Sequence, residues 1–186
     1  FAASRLAMAG LAVFLLMLAA AVFAPLISPQ NPYDLAQIDV MEGRLPPGSA
    51  TATGGTFWLG TDDQGRDMLS GILYGLRISL GVGIASTVFA LAIGLVLGMM
   101  AAYFGGWVDT LIMRVVDIQL SFPAILIALV LLAVLGQGVD KIIFALVTVQ
   151  WAYYARTVRS SALVERQKEY VEAARVLALG QARIVF

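Results

Sequence analysis

Two short polar segments contain the residues best able to do chemistry. The first places three acids and one base close together, at Asp62, Asp63, Arg66 and Asp67. Clustered carboxylates are typical of calcium loops, but these acids do not alternate at the first, third and fifth positions, and the glycine is misplaced. The segment is therefore not an EF-hand.

Helix-start signals surround the same acids. Thr61 and Gln64 have capping-box spacing, and the acids between them suit a helix N-terminus. Apolar residues then recur at helical spacing, at Met68, Leu69, Ile72, Leu73 and Leu76. This pattern predicts a capped amphipathic helix that lies on the outer membrane surface.

The second polar segment, residues 169–178, reads EYVEAARVLA. As a helix it places five residues on one apolar face: Tyr170, Val171, Ala174, Leu177 and Ala178. Glu172 and Arg175 lie on the other face and pair weakly. Ala173 and Ala174 leave little bulk, so the helix can seat closely in a partner's groove. The alternative is an amphipathic helix resting on lipid headgroups.

The composition lacks two residue types that are common in metal sites and in proton transfer. The chain has no cysteine and no histidine. Disulfides, thiolate metal sites and the usual proton shuttle are therefore missing. The chain also lacks the glycine-lysine loop with which ATPases bind phosphate. We expect no catalytic residue, no metal site and no cofactor.

Membrane insertion is the strongest expectation, since 60% of the residues are hydrophobic and 13% are charged. Four spans are predicted, at Leu6–Ile27, Ile78–Tyr103, Val115–Leu135 and Ile142–Val158. The first is longer than the apolar core of a signal peptide, which is the alternative. Segment Ser28–Phe57 is rich in proline and glycine and reads as an irregular extramembrane loop.

Within these spans, two features predict helix packing. Small residues recur every fourth position in the second span, at Ala90, Gly94, Gly98 and Ala102. Such a stripe lets another helix approach closely, although glycine is common in membrane helices generally. The turn Gly136–Lys141 makes the third and fourth spans an antiparallel hairpin.

Basic residues predict the orientation. They are concentrated after the fourth span, so we expect 159–186 and the N-terminus in the cytoplasm and Ser28–Arg77 outside. Asp117 and Arg114 lie at the inner end of the third span, three positions apart on one helix face. We expect them to form an interfacial pair with a snorkelling arginine and not an ion path.

The ordered motifs resemble the second permease subunit of the dipeptide, oligopeptide, glutathione and nickel ATP-binding cassette importers. The resemblance covers nearly the whole chain through these segments: Leu59–Asp67, Leu73–Leu80, Gly105–Asp109, Met113–Asp117, Phe122-Pro123, Tyr154–Arg159 and Glu169–Arg175. Residues 169–178 are similar to the cytoplasmic "EAA" element by which such permeases dock onto their ATPases. We call residues 169–178 the coupling helix.

The resemblance implies an all-α integral membrane protein with the type I importer transmembrane-domain fold. About six spans are implied, of which four are present, so we expect a truncated chain. Residues 1–77 would form an N-terminal span and periplasmic loop. Residues 78–186 would form a partial transmembrane domain with a cytoplasmic coupling loop at about 159–186.

The implied function is that of a permease subunit in the bacterial inner membrane, forming half of a pathway for peptides or similar solutes. The implied partners are the lipid bilayer, a second permease, two cytoplasmic ATPases that hydrolyse ATP, and an external substrate-binding protein; no nucleic acid is expected. Alternatives are a nickel-chelate or glutathione importer, a secondary transporter, and a non-transporting membrane anchor.

The resemblance also assigns two sets of site residues. The ATPase-coupling set is Glu169, Tyr170, Glu172, Ala173, Ala174 and Arg175. The outer set is Asp62, Asp63, Arg66 and Asp67, which we expect to engage the binding protein or order the substrate entrance. Two positions depart from the family pattern: Gly71 replaces a frequent arginine, and Ala178 replaces the usual glycine, so the coupling helix is free to extend to Gly180.

Overall fold

The computed structural model describes residues 4–51, 54–171 and 177, and most of them are helical. The helices are α1 (Arg5–Ile27), α2 (Met68–Phe104), α3 (Gly106–Leu120), α4 (Ala124–Leu135) and α5 (Val139–Glu165). Two 3-10 turns (Leu35–Gln37 and Val40–Glu42) and two strands, β1 (Ser49–Ala50) and β2 (Thr56–Phe57), lie between α1 and α2. The chain divides into two compact units, Phe1–Gly81 and Val82–Phe186.

Helix α1 matches the first predicted span. The Ser4 side chain caps it by accepting a hydrogen bond from the Ala7 N–H at 3.3 Å. Pro25 lies in its last turn, and the helix ends at Ile27. Its length and apolar composition are sufficient to cross a membrane.

The segment between α1 and α2 is more ordered than the expected irregular loop. Each 3-10 turn is capped by an aspartate, Asp34 or Asp39, whose carboxylate accepts an N–H two residues on. Strands β1 and β2 pair antiparallel, with Ser49 opposite Phe57. Asx turns and one short hairpin therefore replace much of the predicted irregularity.

Helix α2 corrects the expectation of a separate surface helix. The expected amphipathic helix and the expected second span, Ile78–Tyr103, are one continuous helix of 37 residues. Such a helix is about 55 Å long, well beyond a hydrocarbon core of about 30 Å. Part of α2 therefore lies outside the membrane or the helix is strongly tilted.

The third predicted span, 115–135, is not a single helix. Helix α3 ends at Leu120, α4 begins at Ala124, and the two are bent by 85° at the break. Pro123 occupies the N-cap of α4 and has no N–H for a continuing helix. The break is therefore encoded at Phe122-Pro123.

Among the described residues, two of the four expected spans, or three if a bent pair is counted as one, are helices long and apolar enough to cross a membrane. Helices α1 and α2 qualify alone, and the pair α3–α4 qualifies if it forms one span. Helix α5 is long but carries Arg156 and Arg159 in its second half. A crossing by α5 stays a prediction.

The second unit consists of α3, α4, α5 and the part of α2 from Val82 onward. Helix α4 reaches α5 through a turn with two positive-φ glycines, Gly136 and Gly138, and the two helices pack together as the predicted hairpin requires. A small buried cluster joins α3 to α5, formed by Val116, Ala152 and Ala155. Helix α5 is thus the element that the other helices of this unit contact.

The small-residue stripe of α2 is confirmed as a packing surface. All four of its residues, Ala90, Gly94, Gly98 and Ala102, are buried. A Cβ added at Gly94 would lie 2.8 Å from the Trp151 carbonyl oxygen and 2.9 Å from the Ala155 nitrogen. The partner helix is therefore α5, and its backbone approaches that of α2 directly.

Candidate functional site

The outer acidic segment folds as a closed turn ahead of α2. One carboxylate oxygen of Asp62 accepts the backbone N–H of Gln64 at 2.8 Å and that of Arg66 at 3.0 Å. The Asp62 N–H in turn donates to the Arg66 carbonyl at 3.0 Å. Gly65, with φ +81°, packs against the Asp39 backbone, which leaves no room for a side chain. The turn is therefore fixed by Asp62 and Gly65.

Asp67 caps α2 and is buried, with 1% of its surface exposed. Its Oδ2 accepts the Ser70 N–H at 2.8 Å and the Ser70 hydroxyl at 2.5 Å. The Asp67 N–H donates to the Gln30 side-chain oxygen at 2.7 Å. The predicted capping box at Thr61 is therefore wrong: the Thr61 hydroxyl instead donates to the Glu42 carbonyl and accepts the Leu45 N–H.

The remaining outer residues face solvent to different extents. Arg44 and Asp63 form an ion pair at 2.7 Å in which both side chains are more than three-quarters exposed, at 79% and 76%. Arg66 is partly exposed and lies 3.7 Å from the Asp62 carboxylate. The structure therefore separates the expected outer set, with Asp63 outward and Asp67 inward.

The second candidate site follows α5, which extends beyond the expected Val158 to Glu165. A turn at 166–168 leads to helical backbone at 169–171. The Lys168 ammonium lies 2.8 Å from the Glu165 carboxylate, and the Tyr170 hydroxyl donates to the same group. Because both groups donate to it, the pKa of Glu165 lies below its ordinary value, and that of Tyr170 is raised.

Part of the coupling set can be located. Glu169 and Tyr170 are exposed, whereas Val171 is buried. Tyr170 and Val171, which were expected on one apolar face, therefore differ in their exposure to solvent. Leu177, on the same predicted face, is exposed. Glu172, Ala173, Ala174, Arg175 and Ala178 lie outside the described residues.

Three arginines fix the end of α5 to neighbouring helices. Arg159 makes a two-pronged ion pair with the Asp109 carboxylate of α3, through its Nε and Nη2. Arg156 pairs with Asp117, also of α3. The Arg166 guanidinium donates to the Ala102 carbonyl in the last turn of α2, where a helix leaves carbonyls without partners.

These ties correct one prediction and add residues that the sequence analysis missed. Asp117 pairs across helices with Arg156 and not with Arg114 on its own helix. None of Asp109, Arg159 and Arg166 was predicted as a site: Asp109 and Arg159 lie in segments that only indicated the family, and Arg166 only contributed to the predicted orientation. The described residues contain no group of acids able to hold a metal ion. The three arginine contacts can link α5 mechanically to α2 and α3.

Comparison with known protein families gives two matches. Residues 94–186 match the family described as binding-protein-dependent transport system inner membrane component. Residues 1–47 match the N-terminal transmembrane domain of oligopeptide transport permease C. The first match begins within the stripe of α2, at Gly94, and includes the bent pair α3–α4, α5 and the coupling helix.

Three curated relatives illustrate the range of similar proteins. A dipeptide transport system permease of Alkalihalophilus pseudofirmus is 34% identical over 98% of this chain and 57% of its own length. A glutathione transport system permease of Pectobacterium atrosepticum is 38% identical, over 96% and 56%. A nickel transport system permease of Escherichia coli K12 is 39% identical, over 82% and 53%. The chain thus spans little more than half the length of these relatives.

Proposed function

Because the chain belongs to the family of binding-protein-dependent transport system inner membrane components, we propose that it is a permease subunit of an ATP-binding cassette importer. It has the all-α transmembrane fold of a type I importer. The observation that carries the proposal is that α5, which packs against α3 and α4 and contacts α2 at Gly94 and Gly98, leads through a short turn into the segment that resembles an ATPase-docking element. The subunit forms half of a translocation pathway.

In this proposal ATP hydrolysis takes place on separate subunits. Two cytoplasmic ATPases dock on this chain and on a second permease, and an external binding protein delivers the solute. Closure of the ATPases displaces the coupling helix, and α5 carries that displacement into the membrane helices. The bacterial inner membrane is the corresponding location. The chain itself performs no catalysis.

The proposed substrate class is peptides, in keeping with the names of the dipeptide relatives. The glutathione and nickel relatives support the alternatives, a glutathione or nickel-chelate substrate. A chelate needs no direct protein ligand, so the lack of histidine and cysteine does not decide between them. Mass spectrometry of the solute retained by the cognate binding protein distinguishes a peptide from a metal chelate.

The coupling role is tested by two substitutions in the reconstituted importer with the full-length subunit. Ala174→Trp adds bulk where we expect an ATPase groove, and Glu172→Ala removes a polar contact with the ATPase. Both variants should insert normally but lower ATPase co-purification, substrate-stimulated hydrolysis and uptake together. Asp140→Ala, at the other end of α5, is the matched control and should change none of the three.

The outcome that contradicts this role is equally specific. Normal co-purification, hydrolysis and uptake in both variants would show that the ATPases dock elsewhere. Lower uptake with normal ATPase co-purification would show that these residues act after docking and do not form the docking contact.

A further inference from the structure

We infer that Asp109 and Arg159 are positioning residues that join α3 to the end of α5, so that displacement of the coupling helix moves both helices together. This inference rests on the proposed function, since it concerns how coupling reaches the membrane helices. We call the Asp109–Arg159 pair the strut.

The geometry of the strut restricts rotation as well as separation. Nε of Arg159 donates to one Asp109 oxygen, and Nη2 donates to the other at 2.5 Å. Two parallel contacts fix the planes of both groups relative to each other, which a single contact does not. Helix α5 therefore cannot turn about its axis at this point without breaking the pair.

Among the described residues of the second unit, the strut is the ion pair whose side chains are least exposed to solvent. The side chains of Arg159 and Asp109 are 29% and 22% exposed, whereas those of Arg156 and Asp117 are 48% and 60% exposed. Exposed pairs contribute little because solvent screens them and the side chains lose entropy. The strut is thus the stronger connection between α3 and α5.

The position of the strut suits transmission. Arg159 lies about 9 Å from the end of α5, measured along the helix. Beyond it, Arg166 ties the chain to the Ala102 carbonyl of α2. On the other side, Gly94 and Gly98 hold the backbones of α2 and α5 in contact. A displacement entering at residue 169 therefore meets a helix that is fixed at several points, and packed helices move as units and do not deform continuously.

The test measures solute molecules transported per ATP hydrolysed in proteoliposomes containing the complete importer. Asp109→Asn and Arg159→Lys each remove the two-pronged contact, and the lysine keeps the positive charge. We expect each to lower this ratio about fivefold to tenfold, equivalent to ~1–1.4 kcal/mol. ATPase co-purification should stay normal, and Asp140→Asn, which breaks an exposed pair with Lys141, should leave the ratio unchanged.

A second experiment exchanges the charges of the two strut residues. Asp109→Arg combined with Arg159→Asp should recover a ratio well above that of either reversal alone. An unchanged ratio in Arg159→Lys, or no recovery in the reversed pair, would overturn the inference. So would lower thermal stability with a normal ratio per assembled complex, because the pair would then be purely structural. Failure of the docking proposal would appear separately, as normal co-purification in Ala174→Trp.

Discussion

The close approach of α2 and α5 allows a quantitative prediction for Gly94→Ala. The added Cβ would lie 2.8 Å from the Trp151 carbonyl oxygen and 2.9 Å from the Ala155 nitrogen. Both are backbone atoms, so neither can rotate away. The nearest atom of all would be the Tyr154 Cβ, which is closer than either and is fixed to the backbone. Contact at about 3.5 Å is optimal, so the helices must separate by about 1 Å here, which forfeits about half of the dispersion energy of facing atoms. We expect this overpacking to cost ~1–3 kcal/mol.

A matched substitution isolates that cost. Gly83→Ala lies on the same helix, and its added Cβ would meet nothing within 4 Å. Both substitutions gain ~1 kcal/mol from the higher helix propensity of alanine. The free energy of unfolding of Gly94→Ala should therefore lie ~1–3 kcal/mol below that of Gly83→Ala.

The assay is equilibrium unfolding of the purified full-length subunit in mixed detergent micelles, followed by tryptophan fluorescence. Gly98→Ala should behave like Gly94→Ala, because its Cβ would lie 2.5 Å from the Ala155 carbonyl oxygen. Equal unfolding free energies for all three variants would refute the direct contact between α2 and α5.

The outer segment and the topology give three further predictions. Asp67→Ala should lower the free energy of unfolding by ~1–2 kcal/mol because the cap of α2 is lost. Asp63→Ala should change it by less than ~0.5 kcal/mol. An equal loss of thermal stability in the two variants would contradict this prediction. Asp63→Asn should weaken binding of the external binding protein while Asp140→Asn does not, as measured by surface plasmon resonance; equal affinities would show that Asp63 is only a solvated residue. Cysteines at Ser49 and Gln167 should react with an impermeant maleimide from opposite sides, and labelling of both from outside would reject the orientation.

The features that could be predicted from the sequence are those with local or periodic signals. The stripe through Gly94 and Gly98 was predictable because small residues four apart face one direction. The span of α1 was predictable from its apolar length. The hairpin of α4 and α5 followed from Gly136 and Gly138.

The features that could not be predicted depend on distant residues. Several residues between 61 and 67 are able to cap a helix. The choice of Asp67 coincides with the hydrogen bond that its N–H donates to the side-chain oxygen of Gln30, 37 positions away. Asp117 had a local candidate in Arg114, but its partner Arg156 lies 39 positions along the chain. The amphipathic and apolar parts of α2 form one continuous helix. Arg77, which lies between them, has a high helix propensity and does not end the helix.

The bend before Pro123 is an intermediate case, because its local signal was present but was used only as part of a family motif. Proline removes one N–H and disfavours helical backbone at the residue before it, here Phe122. The sequence could therefore have predicted the break between α3 and α4. The angle is 85°, and both helices pack against α5, which lies later in the chain.

The measurement that tests the central claim most directly is solute uptake by proteoliposomes containing the full-length subunit, the second permease and the ATPases. The proposed permease role predicts uptake only when ATP is present at the ATPase side and the loaded binding protein is present at the other side. Uptake driven by an ion gradient, with no ATPase subunits and no binding protein, would contradict it and identify a secondary transporter.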